Sequence, residues 1–141
     1  MRRGFTLIEL CFVIAILGVL TAVTVPAYGV IHRRAQAAEA RAMLSAIAHA
    51  ELRHHRDTGV LLPCGPTASV GKTPVAFPNG EACWQALHIQ VGGAVRYQYA
   101  VALDGDSFVV TAVGDLDGDG KRSTLRLDGR NLHIETTDGL E

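Results

Sequence analysis

An uninterrupted apolar run near the N-terminus constrains this chain more than any other feature. From Leu10 to Ile31 the sequence contains no charged residue, and His32-Arg33-Arg34 ends the run. About 20 apolar residues are what a helix needs to cross the hydrocarbon core of a bilayer, which is about 30 Å thick. The rest of the chain is polar enough to fold in water, so the sequence predicts a membrane-spanning helix followed by one small domain.

Glu9 lies at the border of this run and needs a partner, because an acidic side chain in a membrane costs a few kcal/mol unless it is paired. The nearby cations are Arg2, Arg3 and the α-amino group that a cut before Phe5 would create. Within one helix that amine lies about 6 Å from Glu9 along the axis. In a stack of identical helices, Glu9 of one subunit would instead meet Phe5 of the next.

The N-terminal motif resembles a known processing signal. Residues 2–10, Arg-Arg-Gly-Phe-Thr-Leu-Ile-Glu-Leu, and the apolar run up to residues 26–28, Pro-Ala-Tyr, are similar to the class III signal of type IV pilins and type II secretion pseudopilins. The resemblance covers about a quarter of the chain. It implies cleavage after Gly4 by prepilin peptidase, N-methylation of Phe5 and a role for Glu9 in subunit docking. The alternative is an ordinary N-terminal signal anchor in which Glu9 is incidental.

The predicted organisation has three parts. Residues 1–4 form a leader peptide, residues 5–58 form a helix that spans the membrane over about 8–31, and residues 59–141 form a globular head. The basic leader orients the chain with its N-terminus inside the cell. The resemblance implies a subunit of the bacterial inner membrane that later joins a periplasmic or extracellular filament. Its implied partners are other pilin subunits, prepilin peptidase and an inner-membrane assembly platform.

The helical pattern continues beyond the membrane part, with apolar residues such as Leu44 and Ile47 at three- and four-residue steps. We expect one helix from about Thr6 to Arg56, with an amphipathic distal half and Gly59 as its stop. The polar positions that suit its outer face include Arg34, Glu39, Arg41, Glu51 and Arg53.

Two residues interrupt the membrane part of the predicted helix. Pro26 removes a backbone hydrogen bond, so a kink is expected there. The resemblance adds Gly18, because it implies that the segment between Gly18 and Pro26 unwinds in an assembled filament.

The remaining sequence predicts an α+β fold, in which the long N-terminal transmembrane helix packs on a four-stranded antiparallel sheet. Alternating patterns place strands at 95–103, 107–113, 123–127 and 132–136. Asp104-Gly105 predicts the first hairpin turn. Residues 60–92 are rich in Pro and Gly and predict a loop, with a short helical turn over 81–87. The aromatic residues are expected in the core rather than in an exposed contact patch: Trp84, Tyr97, Tyr99 and Phe108.

Three cysteines are present. Cys11 lies inside the apolar run, where a thiol behaves as a small apolar group. If the head faces an oxidising compartment, Cys64 and Cys83 are expected to form a disulfide. The alternative is a pair of reduced thiols.

An aspartate-rich stretch near the C-terminus predicts a calcium site. Its alternating carboxylates and the turn at Gly120 follow the pattern of an EF-hand loop. The pattern departs at the twelfth position, where Arg126 replaces the bidentate Glu, so we expect modest affinity. The alternative is a solvated acidic turn. The predicted ligands are Asp115, Asp117, Asp119, the carbonyl of Lys121 and the side chain of Ser123.

The sequence predicts a structural role and no enzyme. It contains no pattern typical of a Ser/His/Asp set, a phosphate loop or a paired-carboxylate cleft, and its net charge of −1 does not favour nucleic acid as the main partner. The main hypothesis is a type IV pilus subunit, and the near alternative is a secretion pseudopilin. A membrane-tethered calcium or ligand sensor is an alternative of another class. A DNA-binding competence pilin is the weakest, because its arginines follow a helix expected to be covered.

Overall fold

The computed structural model describes residues 6–68, 71, 73–116 and 118–137. One helix, α1, runs from Leu7 to Thr58 and has 52 residues. The chain divides into two compact units, the first ending at Arg34 and the second beginning at Ala35. Gly59 ends α1 in a left-handed conformation with φ +78°, and its N–H donates to the carbonyl of His55 at 2.8 Å.

The second unit contains the sheet. Four strands form an antiparallel meander in chain order. The short elements that precede it are one helical turn and a pair of two-residue strands. In chain order the elements after α1 are β1 (Val75–Ala76), α2 (Ala82–Ala86), β2 (Ala94–Val95), β3 (Gln98–Asp104), β4 (Ser107–Gly114), β5 (Ser123–Asp128) and β6 (Ile134–Thr137). The predicted α+β class and four-stranded sheet are therefore confirmed.

The core of the second unit forms between α1 and the sheet. The helix contributes Leu44 and Ile47, both with no exposed surface, to the same buried cluster as the aromatic residues. Burial of these apolar side chains removes their surface from water, which is the main favourable contribution to folding. The prediction that the aromatic residues lie in the core is confirmed for Trp84, Tyr97, Tyr99 and Phe108.

The first hairpin also follows the sequence. Asp104 pairs with Ser107 across a two-residue turn, and Gly105 has φ +60° in that turn. Only a residue that tolerates positive φ suits this position, which explains why Asp-Gly predicts the turn.

Two predictions about strands are wrong in part. The predicted loop over 60–92 contains β1, which pairs antiparallel with β2. The predicted strand over 95–103 is interrupted at Arg96 and Tyr97, since β2 ends before them and β3 begins at Gln98. Alternation continues through the interruption, so periodicity alone does not reveal it. A two-residue strand is likewise too short to produce a period.

Candidate functional site

The first turn of α1 holds Glu9 through a reciprocal hydrogen-bond pair. The backbone N–H and the hydroxyl of Thr6 both donate to Oε2 of Glu9, at 2.9 and 2.7 Å. The N–H of Glu9 in turn lies 3.4 Å from the Thr6 hydroxyl oxygen. This arrangement is a capping box, in which the N-cap and the third helical residue satisfy each other's N–H groups. We did not predict it, although a threonine three residues before a glutamate signals it.

The capping box keeps the exposed Glu9 carboxylate at the N-terminal end of α1, where the helix dipole favours a negative charge. A cation from another molecule can therefore meet it at a defined place. The predicted processing residues Gly4 and Phe5 lie outside the described residues. Pairing between Glu9 and the Phe5 amine remains a prediction.

The apolar segment from Leu7 to Val25 forms an exposed helical surface. Within the described residues, Leu7–Val25 is a 19-residue segment long and apolar enough to cross a membrane, by length and composition, and none of it is buried. Helix α1 continues through Gly18 and Pro26, and a Cβ built on Gly18 would meet nothing within 4 Å. Packing within the chain therefore does not require a glycine at position 18. The predicted kink and unwinding remain predictions.

The aspartate-rich loop closes around Asp115. The two oxygens of its carboxylate accept the backbone N–H groups of Gly118 and Gly120, at 2.7 and 3.1 Å. Both glycines have positive φ, +76° and +86°. Asp119 accepts the N–H of Lys121 at 2.7 Å through Oδ1. The backbone thus folds around the Asp115 carboxylate. Each of its two oxygens accepts one N–H and keeps a second lone pair that can accept another bond.

The base of this loop is held by buried polar contacts. The Ser123 side chain is buried, and its hydroxyl oxygen lies 3.2 Å from the Gly114 carbonyl and 3.3 Å from the Tyr97 hydroxyl. A Cβ on Gly114 would lie 2.8 Å from the Tyr97 ring, so glycine is required there. Burial raises the pKa of the Tyr97 hydroxyl, and its hydrogen bond to Ser123 opposes the rise.

The structure places only some of the predicted metal ligands in the loop. Asp115 and Asp119 lie in the loop, Asp117 lies outside the described residues, and the Ser123 hydroxyl is already engaged at the loop base. Among the described residues, no group of three or more His, Cys, Asp or Glu side chains is arranged to hold a metal ion. Calcium binding remains a prediction.

The structure joins Cys64 and Cys83 in the disulfide that we predicted, with their Cα atoms 5.7 Å apart. Cys64 also pairs its backbone with Val101 of β3, donating to the Val101 carbonyl at 3.0 Å and accepting its N–H at 2.9 Å. The disulfide therefore ties a segment anchored on the sheet to α2. Cys11 is free and exposed.

The prediction for Glu51 is wrong. We expected it on the outer face of α1, but it has no exposed surface. One carboxylate oxygen accepts the N–H of Leu62, and the other has no hydrogen-bond partner among the described residues. Burial raises the pKa of the Glu51 carboxyl, while the Leu62 N–H and, more weakly, His54 and His55 oppose the rise.

The physical reason for this error is the returning loop. Glu51 lies seven residues after Leu44 and four after Ile47, in phase with the buried face of the helix. That spacing was the available signal. A glutamate is tolerated at this buried position because the chain after α1 folds back and the N–H of Leu62 donates a hydrogen bond to its carboxyl group.

Comparison with known proteins finds its most specific match in the N-terminal segment. Residues 1–25 match the model of the prokaryotic N-terminal methylation motif. The chain is 58% identical over 40 residues to the type IV major pilin protein PilE1 of Neisseria gonorrhoeae, covering 28% of this chain and 24% of that pilin. It is 54% identical over 39 residues to the type IV major fimbrial protein FimA of Dichelobacter nodosus, covering 28% of this chain and 24% of that protein.

A longer match extends into the second unit. The chain is 38% identical over 72 residues to the fimbrial protein EcpC of Eikenella corrodens, covering 51% of this chain and 47% of that protein. The match therefore spans about half of that protein and, for the gonococcal pilin, about a quarter of its length. No solved structure matches this chain. The methylation motif over residues 1–25 and these partial matches therefore show that the chain is similar to type IV pilins and fimbrial proteins over part of its length.

Proposed function

We propose that this chain is a structural subunit of a type IV pilus-like filament and that it polymerises through α1. The observation that carries the proposal is the apolar surface of Leu7–Val25, none of which is buried within the chain. Such a surface requires a cover, because exposed apolar area of this size is unfavourable in water. Lipid covers it before assembly, and the same helices of other subunits cover it afterwards.

The proposal includes a defined order of events. The basic leader holds the N-terminus inside the cell, and prepilin peptidase cuts after Gly4 and methylates the new N-terminus at Phe5. The Phe5 ammonium of one subunit then pairs with Glu9 of its neighbour on an inner-membrane assembly platform. The capping box supports this order, because it holds the Glu9 carboxylate at the end of α1 where such an amine arrives.

The relatives support a pilus more than the alternatives, since their names describe pilins and fimbrial proteins. A structural rather than catalytic role follows from the same proposal. A sensor would remain monomeric after processing, whereas a pilus subunit would be recovered in a sheared, pelletable fraction.

Mass spectrometry of the chain from cells with prepilin peptidase tests the proposal. We expect a mature chain that begins with methylated Phe5 and is recovered in sheared filaments. A Glu9→Gln variant should be cut normally but fail to assemble, because the amide has no charge to pair with the amine. Recovery of residues 1–4 on assembled material would refute the model.

We also propose that the aspartate-rich loop binds Ca²⁺ weakly through Asp115, Asp117, Asp119 and the Lys121 carbonyl. The support is the folded turn around Asp115 and the positive φ of its two glycines. Carboxylate and carbonyl oxygens are the ligands that Ca²⁺ prefers. Millimolar Ca²⁺ should raise the melting temperature of the full-length chain in detergent, and Asp119→Asn should reduce the rise. No shift with Ca²⁺ would refute calcium binding.

A further inference from the structure

The turn that precedes α2 contains the pair Asn79-Gly80. The N–H of Glu81 donates to the carbonyl of Pro78 at 3.1 Å, which closes a β-turn with Asn79 and Gly80 at its two central positions. Both central residues are exposed. In such a pair the backbone nitrogen of the glycine can attack the side-chain carbonyl carbon of the asparagine, because glycine has no side chain to block the approach.

The attacking nitrogen is available in this turn. Among the residues that the structure describes, none accepts a hydrogen bond from the Gly80 N–H. A Cβ built on Gly80 would meet nothing within 4 Å, so the space around its backbone is open. The Gly80 carbonyl accepts the side-chain amide of Gln85 at 3.2 Å. Other groups therefore hold the turn while the Gly80 nitrogen stays free.

The side chain under attack is bonded to a distant segment. Nδ2 of Asn79 donates to the Val91 carbonyl at 2.8 Å, and Oδ1 accepts the Val91 N–H at 2.9 Å. A hydrogen bond donated to Oδ1 stabilises the negative charge that develops on this oxygen when a nucleophile adds to Cγ. The same two bonds tie the turn before α2 to the segment between α2 and β2.

The second asparagine of the chain provides a contrast. Asn79 and Asn131 are the two asparagines in the sequence, and Oδ1 of Asn131 likewise accepts a backbone N–H, that of His133, at 2.9 Å. The residue after Asn131 is Leu132, whose N–H already donates to the Asp128 carbonyl at 2.8 Å. The nitrogen beside Asn131 is therefore engaged and carries a bulky side chain, whereas the nitrogen beside Asn79 has neither restriction.

We propose that Asn79 is a site of spontaneous self-modification, at which the side-chain amide is lost and the contact with Val91 is broken. The Gly80 nitrogen forms a bond to Cγ of Asn79 and gives up its proton through solvent to the departing amine. The bond between Cγ and Nδ2 breaks, and ammonia leaves. One water molecule then opens the cyclic imide, which gives aspartate or isoaspartate at position 79. The step requires no oxidant or reductant, and the inference does not depend on the proposed filament function.

The modification reverses the character of the contact with Val91, because an ionised carboxylate has acceptors and no donor. The oxygen that replaces Nδ2 faces the Val91 carbonyl oxygen, so a hydrogen bond becomes a repulsion. Val91 packs partly buried against the core, and α2, which lies between the two joined segments, carries the buried Trp84. We therefore expect the modification to loosen the segment between α2 and β2.

The first test follows the conversion in the purified full-length chain, kept in detergent at neutral pH and physiological temperature. Mass spectrometry of peptides measures the fraction of acid at positions 79 and 131 over time. We expect conversion at Asn79 to be at least about tenfold faster than at Asn131, a difference of about 1.36 kcal/mol in activation free energy.

Gly80→Ala is the matched variant for the mechanism. Its Cβ hinders the attack by the nitrogen, but it meets no other atom within 4 Å and leaves the bonds between Asn79 and Val91 in place. Conversion at position 79 should slow severalfold in this variant, while position 131 should be unaffected. Conversion at Asn79 that is no faster than at Asn131, or that Gly80→Ala does not slow, would overturn the proposed site.

A second test measures the release of Val91 by hydrogen exchange of its backbone amide. Asn79→Asp reproduces one product, and Asn131→Asp is the control, because it adds the same charge and its carboxylate can still accept the His133 N–H. We expect exchange at Val91 to be severalfold faster in Asn79→Asp and unchanged in Asn131→Asp, with Trp84 fluorescence reporting that the core is intact. If Asn79→Asp folds poorly, wild-type chain before and after conversion gives the same comparison. Equal exchange at Val91 in the amide and acid forms would refute the release.

Discussion

Removal of the Cys64–Cys83 disulfide should strongly destabilise the head. The bridge joins residues separated by 19 positions, and loop-entropy arithmetic for a loop of about 20 residues gives about 3 kcal/mol. For a domain of this size about 1 kcal/mol corresponds to about 4–8 °C. Replacing both cysteines with alanine should therefore lower the melting temperature of the head by about 12–24 °C.

Trp84 provides the assay, because it is the only tryptophan and has no exposed surface. Unfolding of the full-length chain in detergent is followed by its fluorescence against urea, for the wild type and the Cys64→Ala/Cys83→Ala variant. Cys11→Ala is the matched control, since Cys11 is free and exposed. A loss of free energy of unfolding below about 1 kcal/mol would refute the cross-linking argument.

Two further predictions concern buried positions in the head. Because burial raises the pKa of Glu51, its contribution to stability is present at low pH and is lost as the pH rises through the folded pKa. Glu51→Gln should therefore lose less stability than the wild type between about pH 4 and pH 7, and equal slopes of unfolding free energy against pH would contradict this. Gly114→Ala should cost about 1–3 kcal/mol, because its Cβ would meet the Tyr97 ring at 2.8 Å and the Arg96 carbonyl oxygen at 3.0 Å. Gly92→Ala, where a Cβ meets nothing within 4 Å, should unfold like the wild type in the same urea titration; equal stability of the two alanine variants would refute the steric argument.

Much of the fold could be predicted because it depends on local patterns. Helix α1 is one example, because its apolar run, its helical spacing up to residue 58 and its stop at Gly59 each depend on residues close together in the chain. The Asp104-Gly105 turn and the alternating strands are local in the same sense. The disulfide could be predicted because only two cysteines lie outside the apolar run.

Other features escaped prediction because they depend on residues far apart in the chain. The pairing of β1 with β2 joins two-residue segments, which are too short for any period to appear. The contact of Ser123 with Tyr97 spans 26 positions, and the predicted role of this serine took no account of it. The capping box is the exception, since Thr6 and Glu9 could have been recognised from their spacing alone.

The sequence by itself therefore determined that this chain has an apolar helix and a small α+β head, because hydrophobic periods and turn residues act over a few positions. The tertiary structure decided the position of Glu51, which is buried because the chain after α1 returns to offer it the N–H of Leu62. Burial depends on which distant segment covers a residue, and no local pattern contains that information.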